Sequence, residues 1–184
     1  MHPLPLLLIG LRGSGKSTLG RLVAERVGAA FSDLDDAVLA RLGHATVAGA
    51  WETLGEPAFR AAETACLRER VPEALDDGTP PAVVALGGGT PTAPGAAELL
   101  GEARERSVVT IVYLRAQPET LRARLDGADA NRPSLTGAGT LGEIDAVFAA
   151  RDGLYQKLAT EIIEIDRSTT IDALVERLVA IVGG

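Results

Sequence analysis

The chain has 184 residues, of which 46% are hydrophobic, and this is enough apolar material for a single domain with a packed core. Its formal net charge of −7 disfavours nucleic acid as a partner, because binding a phosphate backbone requires a basic face. Cys66 is the one cysteine, which excludes an internal disulfide and suits a reducing cytosol. We therefore expect one cytoplasmic, monomeric domain over residues 1–184, with neither nucleic acid nor membrane as a partner.

The first predicted elements surround a glycine-rich motif. Residues 4–9 form an apolar run that is too short to span a bilayer and is typical of a buried strand. Residues 10–17 follow and fit the pattern G-x-x-x-x-G-K-S of a phosphate-binding loop. Apolar residues then recur at helical spacing, which predicts a helix that begins near Lys16 and ends at Gly28.

This motif has a physical logic that favours binding a nucleotide. Glycines let the backbone curl with its N–H groups inward, and a helix N-terminus adds partial positive charge. Lys16 can reach the terminal phosphates, and the hydroxyl of Ser17 can ligate Mg²⁺. The alternative is a glycine turn that precedes a helix by chance. Against this alternative, one of the chain's two lysines, Lys16 and Lys157, occupies the position that the motif requires.

Carboxylates follow a short second strand that is predicted near residues 30–33. Asp33 and Asp35 are two residues apart, so on an extended chain their side chains point to the same side. The alternative is a polar turn that caps the next helix, with Asp35 or Asp36 as the N-cap. The following residues are predicted to be helical in pieces, separated by glycines. These pieces are residues 37–42, residues 46–54 and a longer helix from Pro57 to about Arg70.

Arg60 and Glu63 are three residues apart on the longest of these helices and therefore share a face. One interpretation is a surface ion pair of little energetic value. The other is a guanidinium held in place by a carboxylate so that it can bind an anionic substrate. Trp51 is the only tryptophan, and we expect it in the core or in a pocket wall.

A third strand is predicted at residues 82–86, where a continuous apolar run indicates burial on both faces. The run stops at three consecutive glycines, residues 87–89, which are costly in backbone entropy. Such glycines allow a ligand to approach bare backbone at the carboxyl end of a strand, where open α/β sheets bind ligands. The alternative is a flexible turn.

The remaining chain continues the alternation of strands and helices. Strands are predicted near residues 107–114 and 161–166, and helices near residues 94–105, 118–125, 141–159 and 171–182, the last capped by Thr170 or Thr169. A polar, glycine-rich segment at residues 126–140 is predicted to be a lid over the nucleotide, with Arg132 near the transferring phosphoryl group. This alternation predicts a three-layer α/β/α fold around a five-stranded parallel sheet.

Taken together, the motifs resemble the shikimate kinase family of small P-loop kinases over nearly the whole chain. The shared motifs are the loop Gly10–Ser17, the pair Asp33 and Asp35, Gly55-Glu56 with Phe59-Arg60 and Glu63, Gly87–Gly89, Asn131-Arg132-Pro133, and Arg151 with Leu154-Tyr155. The resemblance implies a P-loop NTPase fold of the nucleoside-monophosphate-kinase type, with substrate-binding helices at about residues 35–70. It also implies transfer of the ATP γ-phosphoryl group to the 3-hydroxyl of shikimate, a step in aromatic amino-acid biosynthesis.

The same resemblance implies roles for individual residues. Lys16, Asp35 and Arg132 would be catalytic, with Asp35 bound to the ring hydroxyls and Arg132 stabilising the moving phosphoryl group. Mg²⁺ would be bound by Ser17 directly and by Asp33 through water. ATP would be bound by Gly13, Ser14, Gly15, Lys16, Ser17, Thr18, Arg124 and Arg132, with Arg124 against the adenine. Shikimate would be bound by Asp35, Arg60, Gly87, Gly88, Gly89 and Arg151, with both arginines on its carboxylate.

The sequence departs from the family pattern at three places and leaves two rival functions open. Ser134 follows Arg132-Pro133 where leucine is common, Gly153 stands in the place of a common proline, and Trp51 stands in the place of a phenylalanine. One rival is a related small-molecule kinase, for example one that acts on gluconate. The other is a nucleotide-binding module without catalysis.

Overall fold

The computed structural model describes residues 4–71, 82–125 and 142–183 of the chain. Within these ranges, parallel strands form one sheet in the order β2-β3-β1-β4-β5, so that the first strand lies at the centre. The strands are β1 Leu6–Ile9, β2 Ala30–Asp33, β3 Ala82–Ala85, β4 Thr110–Ala116 and β5 Glu161–Ile165. The predicted five-stranded parallel sheet is confirmed.

Helices connect the strands and cover the sheet on both sides, which confirms the predicted three-layer class. They are α1 Lys16–Val27, α2 Leu34–Leu42, α3 Val47–Arg68, α4 Ala96–Glu105, α5 Pro118–Leu125, α6 Ile144–Leu158 and α7 Ile171–Gly183. Helix α1 packs against α7 and against strands β2 and β3, whereas α4 contacts α3 and α6, and α6 contacts β4. In the described ranges, none of the helices has the length and apolarity needed to traverse a bilayer.

The core follows the sheet, because helices on both faces exclude water from its strands. All four residues of β1 are 0% exposed, and the apolar residues of β4 at positions 111–114 are at most 1% exposed. The continuous apolar runs that predicted these strands are therefore explained by burial on two faces.

Helix α3 bends where the sequence predicted a break. Gly55 has φ 80° and ψ 160°, a conformation outside the helical region that glycine adopts without steric cost. The pieces before and after Gly55 correspond to the two predicted helices, and the first is capped by Thr46, whose hydroxyl accepts a hydrogen bond from the N–H of Gly49 at 3.1 Å. Phe59, Arg60 and Glu63 lie on the piece after Gly55 and line the same pocket.

The start of α2 corrects the predicted geometry of the two aspartates. Asp33 is the N-cap, with extended backbone angles and a carboxylate that accepts a hydrogen bond from the N–H of Asp35 at 3.0 Å. Asp35 and Asp36 lie in the first helical turn, where their charge favours the helix dipole, so neither is the cap. Asp33 and Asp35 therefore do not alternate along one extended strand, because the helix begins between them.

Smaller differences occur at other helix ends. Residues 90–92 form a short 3-10 turn, and α4 begins at Ala96, after the predicted start at residue 94. The hydroxyl of Thr170 accepts a hydrogen bond from the N–H of Ala173 at 3.3 Å, which selects Thr170 from the two predicted caps of α7. The predicted lid at residues 126–140 lies outside the described residues.

Candidate active site

The phosphate-binding motif forms a tight loop between β1 and α1. Gly13 and Gly15 have φ values of 84° and 97°, which residues with side chains rarely adopt. A Cβ on Gly10 would lie 2.7 Å from the carbonyl oxygen of Leu114, so this position also requires glycine. These glycines place the N-terminus of α1, with its partial positive charge, at the carboxyl end of the central strand.

Lys16 lies beneath this loop and is only 8% exposed. Its Nζ donates hydrogen bonds to the carbonyl oxygens of Gly10 at 2.8 Å and Leu11 at 3.0 Å. The buried hydroxyl of Ser14 has no hydrogen-bond partner within the described part of the chain, and Arg124 donates through Nη1 to the Ser14 carbonyl at 3.3 Å. The loop therefore concentrates donors and positive charge, as an anion such as phosphate requires.

Ser17 and Asp33 meet at the mouth of the loop. The hydroxyl of Ser17 donates a hydrogen bond to Oδ2 of Asp33 at 2.5 Å, although the two residues are 16 positions apart in sequence. The contact forms because β1 and β2 both end at the same edge of the sheet. A hydroxyl and a carboxylate are hard oxygen ligands, so this pair could hold Mg²⁺.

Two adjoining pockets open at this edge of the sheet. The phosphate pocket is lined by Gly13, Gly15, Lys16, Ser17, Thr18, Asp33 and Arg124, among others. The acceptor pocket is lined by Trp51, Phe59, Arg60, Glu63, Gly89, Glu143 and Arg151, among others. Arg12, Asp35, Gly88 and Leu125 line both pockets, so the two are contiguous.

The acceptor pocket contains a guanidinium held by a buried carboxylate. Arg60 donates through Nη1 to Glu63 at 2.7 Å, and Glu63, with its side chain 2% exposed, also accepts from the Thr90 hydroxyl at 2.7 Å. Burial raises the pKa of the Glu63 carboxyl, and the positive charge of Arg60 and the Thr90 hydrogen bond offset this only in part. The guanidinium also lies 5.3 Å from the ring centroid of Trp51. This favours the interpretation of a positioned guanidinium over a surface ion pair.

The three glycines after β3 are required by close packing. None of them has a positive φ, so backbone conformation is not the reason for glycine. A Cβ on Gly87 would meet the carboxylate of Asp35 and the Thr90 hydroxyl, and one on Gly89 would lie 2.5 Å from Nη1 of Arg60. A Cβ on Gly88 would lie 3.1 Å from the backbone nitrogen of Arg12. The absence of side chains at the three glycines thus leaves room for polar groups of neighbouring residues to pack closely against the backbone. This disfavours the alternative of a flexible turn.

Helix α6 also contributes to the lining of the acceptor pocket, through Ile144, Val147 and Arg151. Arg151 donates through Nη1 to the carbonyl oxygen of Gly88 at 2.9 Å, and the Tyr155 hydroxyl donates to the same oxygen at 2.8 Å. Tyr155 is fully buried, and burial raises the pKa of its hydroxyl to about 12, so it remains a donor at neutral pH. The arginines on α3 and α6 therefore line the same pocket.

Comparison with known proteins identifies the family. A sequence model of the family described as shikimate kinase matches residues 12–182. A shikimate kinase of Paracidovorax citrulli is 37% identical over 175 residues, which cover 95% of this chain and 90% of the relative. The chain belongs to the shikimate kinase family.

Two further likenesses agree with this membership. A shikimate kinase of Neisseria meningitidis serogroup C is 38% identical over 176 residues, covering 94% of this chain and 95% of the relative. The solved structure of the Acinetobacter baumannii shikimate kinase in complex with shikimate superposes with a TM-score of 0.82 at 30% identity, covering 100% of this chain and 94% of that chain. The predicted family is confirmed.

In this member of the shikimate kinase family, most predicted site residues meet at one rim. Asp35, Arg60, Gly88, Gly89 and Arg151 line the acceptor pocket, and seven of the predicted ATP and metal ligands line the phosphate pocket. Those seven are Gly13, Gly15, Lys16, Ser17, Thr18, Asp33 and Arg124. Ser14 and Gly87 are buried and line neither pocket. Arg132 lies outside the described residues.

Three polar residues of the site went unnoticed in the sequence. Arg12 occupies a variable position of the phosphate-binding motif and lines both pockets. Thr90 follows the three glycines directly and binds Glu63, and Glu143 precedes α6 and is 7% exposed. The proximity of Thr90 to the glycines was a usable signal, whereas no sequence pattern marked the other two.

Proposed function

We propose that this chain is an ATP-dependent shikimate kinase that transfers the γ-phosphoryl group to the 3-hydroxyl of shikimate, giving shikimate 3-phosphate and ADP. One observation carries the proposal. A phosphate pocket and an acceptor pocket with two arginines adjoin at one edge of the sheet and share Arg12, Asp35 and Gly88. A bound nucleotide and a small anionic alcohol would therefore lie side by side, as transfer between them requires.

At the phosphate end, the loop amides and Lys16 bind the β- and γ-phosphates of ATP. Lys16 already donates to two loop carbonyls, so it both shapes the loop and supplies the positive charge that phosphoryl transfer needs. Arg124 adds a second positive charge beside the loop, where it donates a hydrogen bond to the carbonyl oxygen of Ser14. Arg132 has its assignment from the resemblance alone, as the group that stabilises charge on the moving phosphoryl.

Ser17 and Asp33 are the residues that would hold Mg²⁺. Their oxygens already form one hydrogen-bonded pair beside Lys16, in the phosphate pocket. When bound, the ion neutralises charge on the phosphate oxygens. Asp33 also caps α2 by accepting a hydrogen bond from the N–H of Asp35. The carboxylate of Asp33 therefore contacts both Ser17, its partner in the metal site, and the backbone of Asp35, which lines the acceptor pocket.

At the acceptor end, two arginines bind the carboxylate of shikimate and Asp35 binds its ring hydroxyls. Arg60 and Arg151 reach the pocket from different helices, and their forked donors match a carboxylate in geometry. Asp35 lies at the boundary of the two pockets, where it orients the 3-hydroxyl and accepts its proton as the phosphoryl group arrives. Gly88 and Gly89 line the acceptor pocket, and the buried Gly87 precedes them in the chain.

A coupled assay for ADP tests this proposal. Shikimate with Mg-ATP should give steady ADP release, whereas gluconate at the same concentration should give none. Turnover of gluconate without turnover of shikimate would contradict the assignment of shikimate as the substrate. Tight ATP binding with no product from either compound would indicate a nucleotide-binding module without catalysis. Lys16→Ala should abolish transfer, which ties the activity to the phosphate pocket.

The substrate assignment has a sharper test in the two arginines. Arg60→Ala or Arg151→Ala should raise the Michaelis constant for shikimate about 30-fold or more, because each removes a charged hydrogen bond to a carboxylate. The Michaelis constant for ATP should change little. Near-normal values for shikimate in both variants would contradict the assignment.

We also propose that the protein works as a cytoplasmic monomer without nucleic-acid partners. The net charge of −7 supports the absence of nucleic-acid partners, and the single cysteine suits a reducing cytosol. Sedimentation velocity at micromolar concentration, with and without substrates, tests whether the protein is a monomer.

A further inference from the structure

Helix α6 has one side toward the acceptor pocket and another toward the sheet. Arg151 and Tyr155 are four residues apart and both donate to the carbonyl oxygen of Gly88, and of the two Arg151 lines the acceptor pocket. Asp152 lies between them in sequence but turns to strand β4. The rotation of α6 about its own axis therefore decides whether Arg151 meets Gly88.

Asp152 is bound by four donors. Arg115 on β4 donates through Nε to Oδ1 at 2.8 Å and through Nη2 to Oδ2 at 2.9 Å, so the pair is bidentate. The Tyr113 hydroxyl donates to Oδ1 at 2.9 Å, and the Gln156 amide donates to Oδ2 at 2.7 Å. Bidentate pairing fixes the orientation of the carboxylate as well as its distance, which a single hydrogen bond does not.

Arg115 is itself held from two other directions. Its Nη1 donates to Glu164 on β5 at 2.9 Å, and its guanidinium lies 5.4 Å from the ring centroid of Phe148 on α6. Hydrogen bonds from Arg115 lower the pKa of the Asp152 carboxyl, so the pair is charged at neutral pH. These contacts hold the guanidinium of Arg115 in a fixed position on the sheet, and its pair with Asp152 therefore constrains the orientation of α6.

A second contact joins the same strand to the same helix. The rings of Tyr113 and Tyr155 meet edge to face, with centroids 5.5 Å apart and planes at 82°. Gly153 follows Asp152, and a Cβ there would meet no atom within 4 Å, so nothing packs at this position and its backbone is less restricted. Contacts with the sheet therefore supply the rigidity that the helix lacks locally.

We propose that Asp152 is a positioning residue for the acceptor pocket: its bidentate pair with Arg115 fixes the rotation of α6 and holds Arg151 on Gly88. Asp152 does not line the acceptor pocket, so it acts through Arg151. The inference rests on the proposed function, in which Arg151 binds the carboxylate of shikimate.

Steady-state kinetics of Asp152→Asn and Arg115→Lys test the proposal. Both variants should raise the Michaelis constant for shikimate about tenfold, with the turnover number and the Michaelis constant for ATP within about twofold of the parent. The matched control is Glu164→Gln, which removes the other carboxylate on the same guanidinium but leaves the contact with α6, and it should change none of these constants. If Asp152→Asn fails to fold, Arg115→Lys carries the same test.

A double-mutant cycle separates positioning from general loss of stability. In the Arg151→Ala background, Asp152→Asn should change the Michaelis constant for shikimate less than about twofold, because the side chain that Asp152 positions is no longer present. An equal effect in both backgrounds would overturn the proposal. So would a lowered melting temperature of Asp152→Asn with an unchanged constant for shikimate at a temperature where the variant is folded.

The failure of this inference is distinguishable from that of the proposed function. If Arg151→Ala raises the Michaelis constant for shikimate and Asp152→Asn does not, only the positioning role is overturned. If Arg151→Ala itself has no effect, the assignment of Arg151 as a shikimate ligand is overturned and the positioning role with it.

Discussion

An arginine binds a carboxylate selectively when its surroundings hold the guanidinium in one orientation, and Arg60 is such a case. Arg60 is bound by Glu63 from inside and by Glu56 from outside, and the two carboxylates differ in burial, with side chains 2% and 52% exposed. Glu63→Gln should raise the Michaelis constant for shikimate about tenfold, because a neutral amide cannot form the buried ion pair that fixes the guanidinium. Steady-state kinetics with varied shikimate measure this effect.

Glu56→Gln is the matched control, since it alters the same guanidinium through an exposed partner. Exposed ion pairs contribute about 0–1 kcal/mol, so the Michaelis constant of this variant should remain within about fivefold of that of the parent and below that of Glu63→Gln. Equal effects of the two substitutions would show that burial of Glu63 does not matter for binding.

Gly89→Ala tests whether the glycines after β3 serve the site or the fold. The added methyl group would lie 2.5 Å from Nη1 of Arg60, which is the far end of a side chain that can move. We therefore expect a small loss of stability but a rise of the Michaelis constant for shikimate by about tenfold or more, because the guanidinium is displaced. Thermal unfolding and kinetics on the same preparation separate the two effects.

Gly101→Ala is the control for this substitution. Gly101 lies in α4, and a Cβ there would meet no atom within 4 Å. Alanine should stabilise the helix by up to about 1 kcal/mol and leave the kinetics unchanged. A melting temperature of Gly89→Ala far below that of the parent, with normal kinetics, would assign the glycine to the fold.

At this residue scale, the sequence predicted functional groups better than it predicted their surroundings. Lys16 and the spacing of Arg60 and Glu63 were recognisable because motif and helical periodicity are local. The role of Asp33 as the cap, and the contact of Thr90 with Glu63, depend on where β2 and β3 end relative to α2 and α3. The contact of Thr90 with Glu63 joins residues 27 positions apart, and local periodicity does not show that two such residues meet.

At the scale of elements, apolar runs predicted the strands because burial on two faces leaves a plain signal. Helix starts were less certain, because acidic residues serve equally as caps and as first-turn residues, as Asp33, Asp35 and Asp36 do together. The orientation of α6 was beyond prediction, since it depends on Arg115 and Asp152, which are 37 positions apart.

The contact between α6 and β4 should make stability depend on pH in a defined direction. Arg115 lowers the pKa of the Asp152 carboxyl in the folded protein, so the charged form is favoured on folding. Its contribution is complete above the unfolded pKa of about 4 and is lost as pH falls through the lower, folded value. Asp152→Asn should thus reduce the free energy of unfolding by about 1–2 kcal/mol at pH 7.

Urea denaturation at two pH values checks this prediction. The difference between the parent and Asp152→Asn should shrink at pH 3, because below the unfolded pKa of about 4 the carboxyl is mostly protonated in the unfolded parent and the lowered folded pKa no longer gives its full gain. Glu164→Gln, which alters an acid with a 60% exposed side chain, should differ little from the parent at either pH. A difference for Asp152→Asn that is the same at both pH values would exclude a charge-based contact.

At the scale of the whole molecule, the site exists because parallel strands end at one edge. The ends of β1, β2 and β3 carry the phosphate-binding loop, Asp33 and the three glycines, and the helices that follow bring in the arginines. This convergence was predictable from the alternation of strands and helices. Asp35 and Gly88, which line both pockets, were among the predicted site residues, whereas Arg12 was not, because it occupies a variable position of the phosphate-binding motif.

That shared boundary predicts that the two ligands bind with positive coupling. Arg12, Asp35 and Gly88 line both pockets, so the ligand that binds first orders groups that the second also needs. Shikimate should bind about fivefold more tightly in the presence of a non-hydrolysable ATP analogue with Mg²⁺, a coupling of about 1 kcal/mol. Calorimetric titrations in both orders measure it, and the two factors must agree, because linkage is reciprocal. Shikimate affinity that is unchanged by the analogue would mean that the two pockets act independently despite their common wall.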